Sequence, residues 1–174
     1  MIELEIPRDI KKLDSLKTGD YVLLSGDLYT ARDQAHKRII NSLKKNESPP
    51  ISLENKIIFY AGPAPLKEGS NSSAIGPTTS YRMDSYTETM LEKGVKGFIG
   101  KGKRNKNVVE SIKKHKSVYF ITIGGIAAYL SSKIEKMEIV AYEDLGPEAI
   151  YHLKVKEFPC IVAVDSDGND IFNR

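Results

Sequence analysis

Residues 76–104 combine helix and strand signals with several polar side chains, beginning Gly-Pro-Thr-Thr-Ser-Tyr-Arg-Met-Asp-Ser-Tyr and ending Gly-Phe-Ile-Gly-Lys-Gly-Lys-Arg. The opening Gly-Pro pair predicts a turn. A helix is predicted to begin at Asp84 or Ser85, because Ser85 with Glu88 three residues later has the form of a capping box. Gly94 suits the position just past the last turn, where a left-handed backbone often ends a helix.

The same stretch gathers groups that favour negative charge. The segment 95–101 predicts a short strand that brings Lys101 to the edge of a sheet, and the turn before the helix carries Thr78, Thr79 and Arg82. Hydroxyls, a helix N-terminus and two cations together suit a small anion. The alternative left open is that the threonines cap a helix and that Arg82 is an ordinary surface side chain.

The composition is that of an ordinary globular protein. Of the 174 residues, 40% are hydrophobic and 28% charged, and this length suits one domain covering residues 1–174. The net charge of +3 is too small to indicate nucleic-acid binding by itself. No apolar run approaches the roughly 18 residues that span a membrane, and the first residues lack the pattern of a signal peptide. We therefore expect a cytoplasmic protein with no nucleic-acid or membrane partner.

The single cysteine, Cys160, follows Pro159 and precedes an apolar run. One thiol cannot form an internal disulfide, and it cannot hold an iron–sulfur cluster, which takes three or four protein ligands. We predict a small core side chain at the start of a strand, and we expect no metal ligand in this chain.

Alternating apolar residues mark the N-terminal strands. Residues 1–6 alternate with the period of a strand. Two more strands are predicted over 21–24 and 28–31, joined as a hairpin by the turn-forming residues 25–27.

Arg32 follows the second of these strands. Asp33 is the predicted N-cap of a helix over 34–45, with His36 in its first turn. An arginine at a strand exit is well placed to reach a ligand at that end of a sheet. The alternatives left open are a surface Arg32 paired with Asp33 or Glu47, and a structural His36.

Three further segments have two interpretations each. The polar segment 67–73 is a lid or a linker, and the basic run 101–106 is a solvated face or a phosphate site. The strand predicted over 118–123, Gly124-Gly125 and a helix over 126–134 superficially resemble a nucleotide loop. They lack its glycine spacing, so the glycines more simply allow a tight turn.

The remaining pattern predicts a mixed fold. It comprises a helix over 107–116, strands over 57–60, 138–142 and 149–155, and a last hairpin formed by 158–164 and 171–172. The class is α/β, with mixed sheets and about four helices. Hairpins at both ends argue against a purely parallel sheet.

Two groups of motifs resemble the C-terminal domain of class I fumarate hydratases, a unit that also occurs as the separate β subunit of fumarases and L-tartrate dehydratases. The first group is Gly76-Pro77-Thr78-Thr79, Arg82-Met83-Asp84-Ser85-Tyr86 and Gly100-Lys101-Gly102. The second is Ala31-Arg32-Asp33-Gln34-Ala35-His36, similar to the family's Ala-Arg-Asp-x-Ala-His. Gly124-Gly125 with Ala127-Ala128, and the ending from Phe158-Pro159 to Gly168-Asn169, also agree. The resemblance covers nearly the whole chain.

The resemblance implies a swivelling β/β/α fold and a hydro-lyase. Such an enzyme adds water to fumarate, or removes it from malate or tartrate, and its [4Fe-4S] cluster acts as a Lewis acid. The cluster cysteines belong to the family's N-terminal domain or to a separate α subunit. We therefore expect a β subunit that is inactive without a cluster-bearing α subunit, with which it forms a heterotetramer.

The resemblance also implies roles for individual residues. Arg32, Arg82 and Lys101 match residues that bind substrate carboxylates, and multidentate cations suit a dianion. Thr78 matches the residue implicated as the base, and Thr79 is its hydroxyl neighbour. A threonine hydroxyl is a poor base unless its alkoxide is stabilised, for instance by Lys101, a helix N-terminus or the cluster. We thus expect Thr78 and Lys101 to be catalytic.

Supporting roles are expected for His36 and Asp84. The pair Ser80-Tyr81 departs from many relatives, which carry smaller residues there, and Tyr81 could narrow the pocket or shift the substrate preference. Two other functions are left open. One is a non-catalytic phosphate- or nucleotide-binding module, and the other is a solitary domain that has lost the chemistry.

Overall fold

The computed structural model describes residues 1–64, 73–122 and 125–173. The strands are β1 Ile2–Ile6, β2 Tyr21–Thr30, β3 Ile57–Phe59, β4 Ala61–Pro63, β5 Ile75–Pro77, β6 Gly97–Gly100, β7 Val118–Ile121, β8 Ile134–Ala141 and β9 Ile150–Val164. The α-helices are α1 Asp33–Lys44, α2 Asp84–Glu92, α3 Lys106–Lys114 and α4 Ala127–Ser132. Short 3₁₀ helices cover Ile10–Ser15, Ser80–Met83, Glu143–Glu148 and Ile171–Asn173. The predicted α/β class with mixed sheets and about four α-helices is confirmed for the described residues.

Five strands of the main sheet pair in a closed ring. Strands β2, β3, β6 and β7 are parallel neighbours in that order. Strand β9 runs antiparallel to both β7 and β2 and so connects the two ends of the row. Strand β1 adds to β2, and β8 adds to β9. Because parallel strands end at the same edge, the carboxyl ends of β2, β3, β6 and β7 form one rim of the ring.

Strand β2 contradicts the predicted hairpin. The residues 25–27, interpreted as a turn, lie inside one continuous strand, and its register against β9 shifts between Leu24 and Gly26. Gly26 has φ of +99°, and a Cβ there would overlap the carbonyl oxygen of Ile6 on β1. The Ser-Gly-Asp signal therefore encodes a β-bulge that brings two strands close together.

Strand β9 also joins segments that were predicted separately. The predicted strands 149–155 and 158–164 are parts of one strand, with Glu157 at φ of +51° inside it. The predicted hairpin at the end is wrong in its second arm, because residues 171–173 form a 3₁₀ helix. Cys160 is accordingly inside the strand and not at its start.

The helix starts differ from two of the predicted caps. Helix α2 begins at Asp84, as predicted, but its N-cap is Met83 and Ser85 does not cap it. The reason is the preceding 3₁₀ turn, whose Tyr81 carbonyl accepts the Asp84 N–H. Helix α1 begins at Asp33 itself, so the predicted N-cap is also wrong. Gly94 has φ of +95° just after α2, which confirms the predicted helix end.

Two hydrophobic clusters hold the helices and the ring together. One includes Leu24, Phe120 and Phe158, and the other includes Tyr60 and Phe98; all five side chains are fully buried. Helices α1, α2 and α3 contribute apolar side chains to the second cluster. Residues 67–72 of the predicted lid or linker, and Gly124, lie outside the described residues.

Candidate functional site

The rim at the carboxyl ends of the parallel strands carries the predicted site residues. Arg32 lies two residues after β2, and Lys101 directly follows β6. The turn that contains Thr78 and Thr79 follows β5, the partner of β4, which itself continues from β3. In α/β folds, both open sheets and closed barrels bind their ligands at this end of the parallel strands, so the rim is the expected location for a site.

Thr78 is held by two hydrogen bonds. Its backbone N–H donates to the carbonyl oxygen of Tyr60 at 2.7 Å. Its Oγ1 accepts a hydrogen bond from Arg82 Nη2 at 2.6 Å. A guanidinium that donates to this oxygen stabilises negative charge on it. Arg82 is therefore the cation that contacts the Thr78 oxygen in the structure.

Arg82 also links the two motif segments. Its Nη2 lies 3.6 Å from Asp33 Oδ2 at the start of α1. The Arg82 side chain is 40% exposed and that of Asp33 is 29% exposed, so this ion pair is accessible to a ligand. The carboxylate of a substrate can compete with Asp33 for the guanidinium, because Arg pairs with either in the same fork geometry.

The Arg32 side chain packs against β4 and has a hydrogen-bond donor without a partner. Its side chain lies against Gly62 of β4, where a Cβ would come within 3.0 Å of Arg32 Cδ. Gly62 pairs with Gly76, two residues before Thr78. Within the described residues the buried Arg32 Nε has no hydrogen-bond partner. A buried donor without a partner calls for a ligand or a water molecule.

Lys101 is linked to the site by one isolated β-bridge of the backbone. Thr79 and Lys101 pair as a parallel bridge that extends the rim. The Lys101 side chain is exposed and Thr79 is half-buried. Thr78 and Arg82 are thus in direct contact. Arg32 is linked to them through the β4–β5 pair, and Lys101 is linked through its bridge with Thr79.

His36 lies behind the site. It is fully buried, and its Nδ1 is 2.8 Å from the Arg32 carbonyl oxygen. Because a carbonyl only accepts, Nδ1 carries the proton. The pKa of His36 is lowered to about 4, mainly by burial and also by the nearby Arg104 cation, while the hydrogen bond to the Arg32 carbonyl opposes the shift. A neutral His36 therefore orients the Arg32 backbone.

Asp84 faces the interior and contacts a residue that the sequence did not single out. Arg104 donates from Nε to Asp84 Oδ1 at 2.6 Å and from Nη2 to Thr87 Oγ1 at 2.6 Å. The Arg104 guanidinium also lies over the rings of Tyr60 and Tyr119, at 5.1 and 4.9 Å from their centroids. Asp84 is thus engaged by a cation of the protein itself.

The burial of Arg104 corrects the interpretation of the basic run 101–106 as a solvated face at that one residue. Arg104 is 1% exposed, whereas Lys101, Lys103 and Lys106 are exposed. No sequence pattern distinguishes this arginine from its basic neighbours.

Tyr81 and Ser80 point in different directions. Tyr81 is 64% exposed, and Ser80 is fully buried next to Lys101. A role for Tyr81 in shaping the pocket stays a prediction.

The described residues do not fit an iron–sulfur cluster. Among them no group of three or more His, Cys, Asp or Glu side chains is arranged to hold a metal. Cys160 is buried, its Sγ lies 3.7 Å from the Val22 carbonyl oxygen, and burial raises the pKa of its thiol. The prediction of a core cysteine is confirmed.

Among the described residues, no helix is long and apolar enough to cross a membrane.

Several known proteins are similar to this chain, including the following three. A protein of Methanocaldococcus jannaschii assigned as subunit beta of L(+)-tartrate dehydratase is 40% identical over 174 residues, which cover 96% of this chain and 87% of the relative. Class I aerobic fumarate hydratase of Escherichia coli is 39% identical, and fumarate hydratase 2 of Leishmania major is 36% identical, each over 99% of this chain. This chain covers only 33% and 32% of those two enzymes.

A family model described as "Fumarase C-terminus" matches residues 1–174. That match agrees with the similarity to these relatives over nearly the whole chain. The chain belongs to the fumarase C-terminus family.

Proposed function

We propose that this chain is the β subunit of an iron–sulfur hydro-lyase that hydrates fumarate to malate or dehydrates tartrate. Its relatives' names support a hydro-lyase subunit. The observation that carries the proposal is the Thr78–Arg82 hydrogen bond of 2.6 Å, at the same rim as Arg32, whose Nε has no protein partner among the described residues. One guanidinium bound to a hydroxyl and a second guanidinium at the same rim suit a dianion that exchanges a proton.

In this proposal Arg32 and Arg82 bind the two carboxylates of the substrate. Arg82 exchanges its partly exposed contact with Asp33 for a substrate carboxylate, and the free Arg32 Nε gains an acceptor. Each charge-assisted hydrogen bond contributes roughly 1.5–3 kcal/mol. Lys101, on the exposed side, adds a third cation that neutralises charge developing on the substrate.

Thr78 is the proposed proton-transfer group. In the hydration direction its Oγ1–H delivers a proton to one alkene carbon while hydroxide from water adds to the other, and the proton that the water loses returns to the Thr78 alkoxide. In the reverse direction the same oxygen removes the C–H proton. The Arg82 hydrogen bond stabilises the negative charge that Oγ1 carries in this cycle. Thr79 is proposed to bind substrate next to it, and His36 and Asp84 are proposed to support the site from behind.

The [4Fe-4S] cluster is proposed to reside on a partner α subunit, where it supplies a Lewis acid to the substrate. The proposed assembly is a heterotetramer in the cytoplasm, and the chain is proposed to be inactive without the α subunit. The phosphate-binding alternative loses support from Arg104, because the central arginine of the basic run is buried against Asp84.

The test is activity of the co-expressed complex. The chain is produced with a cluster-bearing α-type subunit, reconstituted anaerobically, and assayed with fumarate, L-malate, L-tartrate and a methylated fumarate. We expect turnover of at least one of these, and none with the chain alone. No turnover of any of them by a complex with an intact cluster would rule the proposal out.

Matched variants locate the site within the complex. Arg82→Ala should lower kcat/KM by about 10- to 150-fold, the equivalent of one charge-assisted hydrogen bond. Arg38→Ala is the control, because Arg38 has the same 40% side-chain exposure but pairs with Asp144 away from the rim. Lys101→Ala is compared in the same way with Lys103→Ala. Equal losses in a variant and its control would show that the rim is not the site.

A further inference from the structure

Ser80 completes the bridge between Thr79 and Lys101 with its side chain. The backbone N–H of Ser80 donates to the Lys101 carbonyl oxygen at 3.3 Å. The backbone N–H of Lys101 donates in return to Ser80 Oγ at 3.0 Å. The hydroxyl oxygen therefore takes the place that a backbone carbonyl has in a regular strand pair. Ser80 is fully buried although it is polar.

Tyr119 extends this contact back to the chain after Lys101. Its hydroxyl oxygen lies 2.8 Å from Ser80 Oγ and 2.8 Å from the carbonyl oxygen of Gly102. The carbonyl can only accept, so the single phenol proton goes to Gly102. The Ser80 hydroxyl must then donate to the Tyr119 oxygen.

All proton directions in this set are therefore fixed. The order is Lys101 N–H to Ser80 Oγ, Ser80 O–H to Tyr119 Oη, and Tyr119 O–H to the Gly102 carbonyl. Because Lys101 and Gly102 are consecutive, these hydrogen bonds form a closed ring around one peptide unit, which we name the Ser80–Tyr119 ring. Burial raises the pKa of Tyr119, so the phenol keeps the proton that the ring requires.

The backbone at Gly100 packs closely against the Ser80–Tyr119 ring. A Cβ on Gly100 would overlap Ser80 Oγ and would come within 2.9 Å of Tyr60 Cδ2. Glycine at the end of β6 therefore allows the hydroxyl to approach the Lys101 amide. Tyr119 lies on the adjacent β7 and is fully buried.

We propose that Ser80 and Tyr119 are positioning residues that fix the backbone of Lys101, so that its exposed side chain starts from one orientation at the rim. Gly102, the next residue, has φ of +80° and open space around its Cα. Without the Ser80–Tyr119 ring, the exposed Lys101–Gly102 segment would keep only its backbone contacts. This inference rests on the proposed role of Lys101 in the hydro-lyase.

The first test is amide hydrogen exchange of the full chain. Ser80→Ala removes the acceptor of the Lys101 N–H, so exchange of that amide should accelerate about tenfold or more, while amides of β2 and β9 are unchanged. Tyr119→Phe should produce a smaller acceleration at the same amide. The control is Ser117→Ala, another fully buried serine, whose hydroxyl donates to the Lys96 carbonyl at 2.8 Å. Unchanged exchange at Lys101 in both variants would overturn the inference.

The second test measures the complex with its α subunit. Ser80→Ala and Tyr119→Phe should lower kcat/KM by about 10- to 100-fold, because a small misplacement of a catalytic group has effects of this size. They should also weaken binding of succinate, a dicarboxylate that cannot be hydrated. In a Lys101→Met background neither substitution should have any further effect on succinate binding.

The outcomes separate positioning from a structural role. If Ser80→Ala and Tyr119→Phe weakened succinate binding equally in the Lys101→Met background, the Ser80–Tyr119 ring would support the fold generally. The inference would then be wrong. Full activity of both variants, with Lys101→Met impaired, would overturn it while leaving the proposed function intact. A wild-type complex that neither turns over nor binds any dicarboxylate would overturn the proposed function first, and this inference with it. Tyr119→Phe removes one oxygen only, so it provides the result where Ser80→Ala does not fold.

Discussion

Arg104 is a buried cation with one carboxylate partner. Its side chain is fully buried and that of Asp84 is 9% exposed. Removing one member of a buried pair leaves the other charge without compensation, which costs about 3–5 kcal/mol. We therefore predict that Arg104→Met lowers the free energy of unfolding by about that amount in urea denaturation.

A double-mutant cycle tests the cause of this loss. Asp84→Asn in the Arg104→Met background should recover part of the stability, because it removes the uncompensated charge. The control is Arg38→Met, whose pair with Asp144 is exposed and should contribute under about 1 kcal/mol. Additive effects of the two substitutions at 84 and 104 would contradict the predicted coupling.

His36 predicts a pH dependence of stability. Its pKa in the folded chain is lowered to about 4 from 6.5, first because of burial and then because of Arg104. Between these values the unfolded chain binds more protons, so stability is fully present above pH 6.5 and is lost as the pH falls towards 4. The loss amounts to at most about 1.4 kcal/mol per pH unit.

The measurement compares wild type with His36→Gln in urea between pH 4 and 8. Glutamine can still donate to the Arg32 carbonyl but does not titrate. The difference in unfolding free energy between the two proteins should therefore shrink as the pH falls from 6.5 to 4. A constant difference over this window would show that His36 is not buried in its neutral form.

The sequence predicted one side of the candidate site much better than the other. Thr78 and Arg82 are four residues apart and meet directly across the short 3₁₀ turn. Asp84 and Arg104 meet because α2 packs against the start of α3, and such a distant pairing leaves no local pattern. Ser80 was noted only as a departure from related sequences, since its partner Tyr119 lies on another strand.

At the level of single elements, Gly26 of β2 lies against β1 and pairs with β9. Its positive φ of +99° and the Ile6 carbonyl oxygen next to its Cα both exclude a side chain. We predict that Gly26→Ala lowers the free energy of unfolding by at least about 2 kcal/mol, from backbone strain and from separation of β1 and β2.

Gly102→Ala serves as the control for the substitution at 26. Gly102 also has a positive φ, of +80°, but its Cβ would meet nothing within 4 Å. It therefore shares the backbone strain without the steric overlap, and its loss of stability should be clearly smaller. Equal losses, by chemical denaturation, would mean that close contact between β1 and β2 is unimportant.

Element boundaries show where local signals fail. The Ser-Gly-Asp triplet at 25–27 has the composition of a turn, but β9 pairs with β2 on both sides of it and keeps the strand continuous. Glu157 similarly has a positive φ within β9. Both features are irregularities inside long antiparallel strands, and only the partner strand decides between a bulge and a turn.

For the whole molecule, the closed ring of strands makes β9 the common partner. It pairs with β2, β7 and β8, whereas the described part of β8 pairs with β9 alone. Apolar runs and turn signals were enough to predict most strands and the α/β class. The mixed sheet was inferred from two hairpins, whereas in the structure it results from β9, which is antiparallel to β2, β7 and β8. Ring closure depends on the pairing of β2 with β9, whose partners Tyr21 and Ile161 are 140 residues apart, and no local pattern encodes this pairing.

This topology predicts a hierarchy of local stability. Opening β2 or β9 breaks the ring and exposes buried residues such as Leu24 and Phe158, so their amides should exchange only on global unfolding. Most residues of β8 are not buried, so this strand can separate without opening the ring. Native-state hydrogen exchange at increasing urea should show a strong urea dependence for β2 and β9 amides and a weak one for β8. If β8 amides exchanged with the same free energy and urea dependence as those of β9, the edge strand would belong to the same cooperative unit, and the ring would not be the boundary of the stable core.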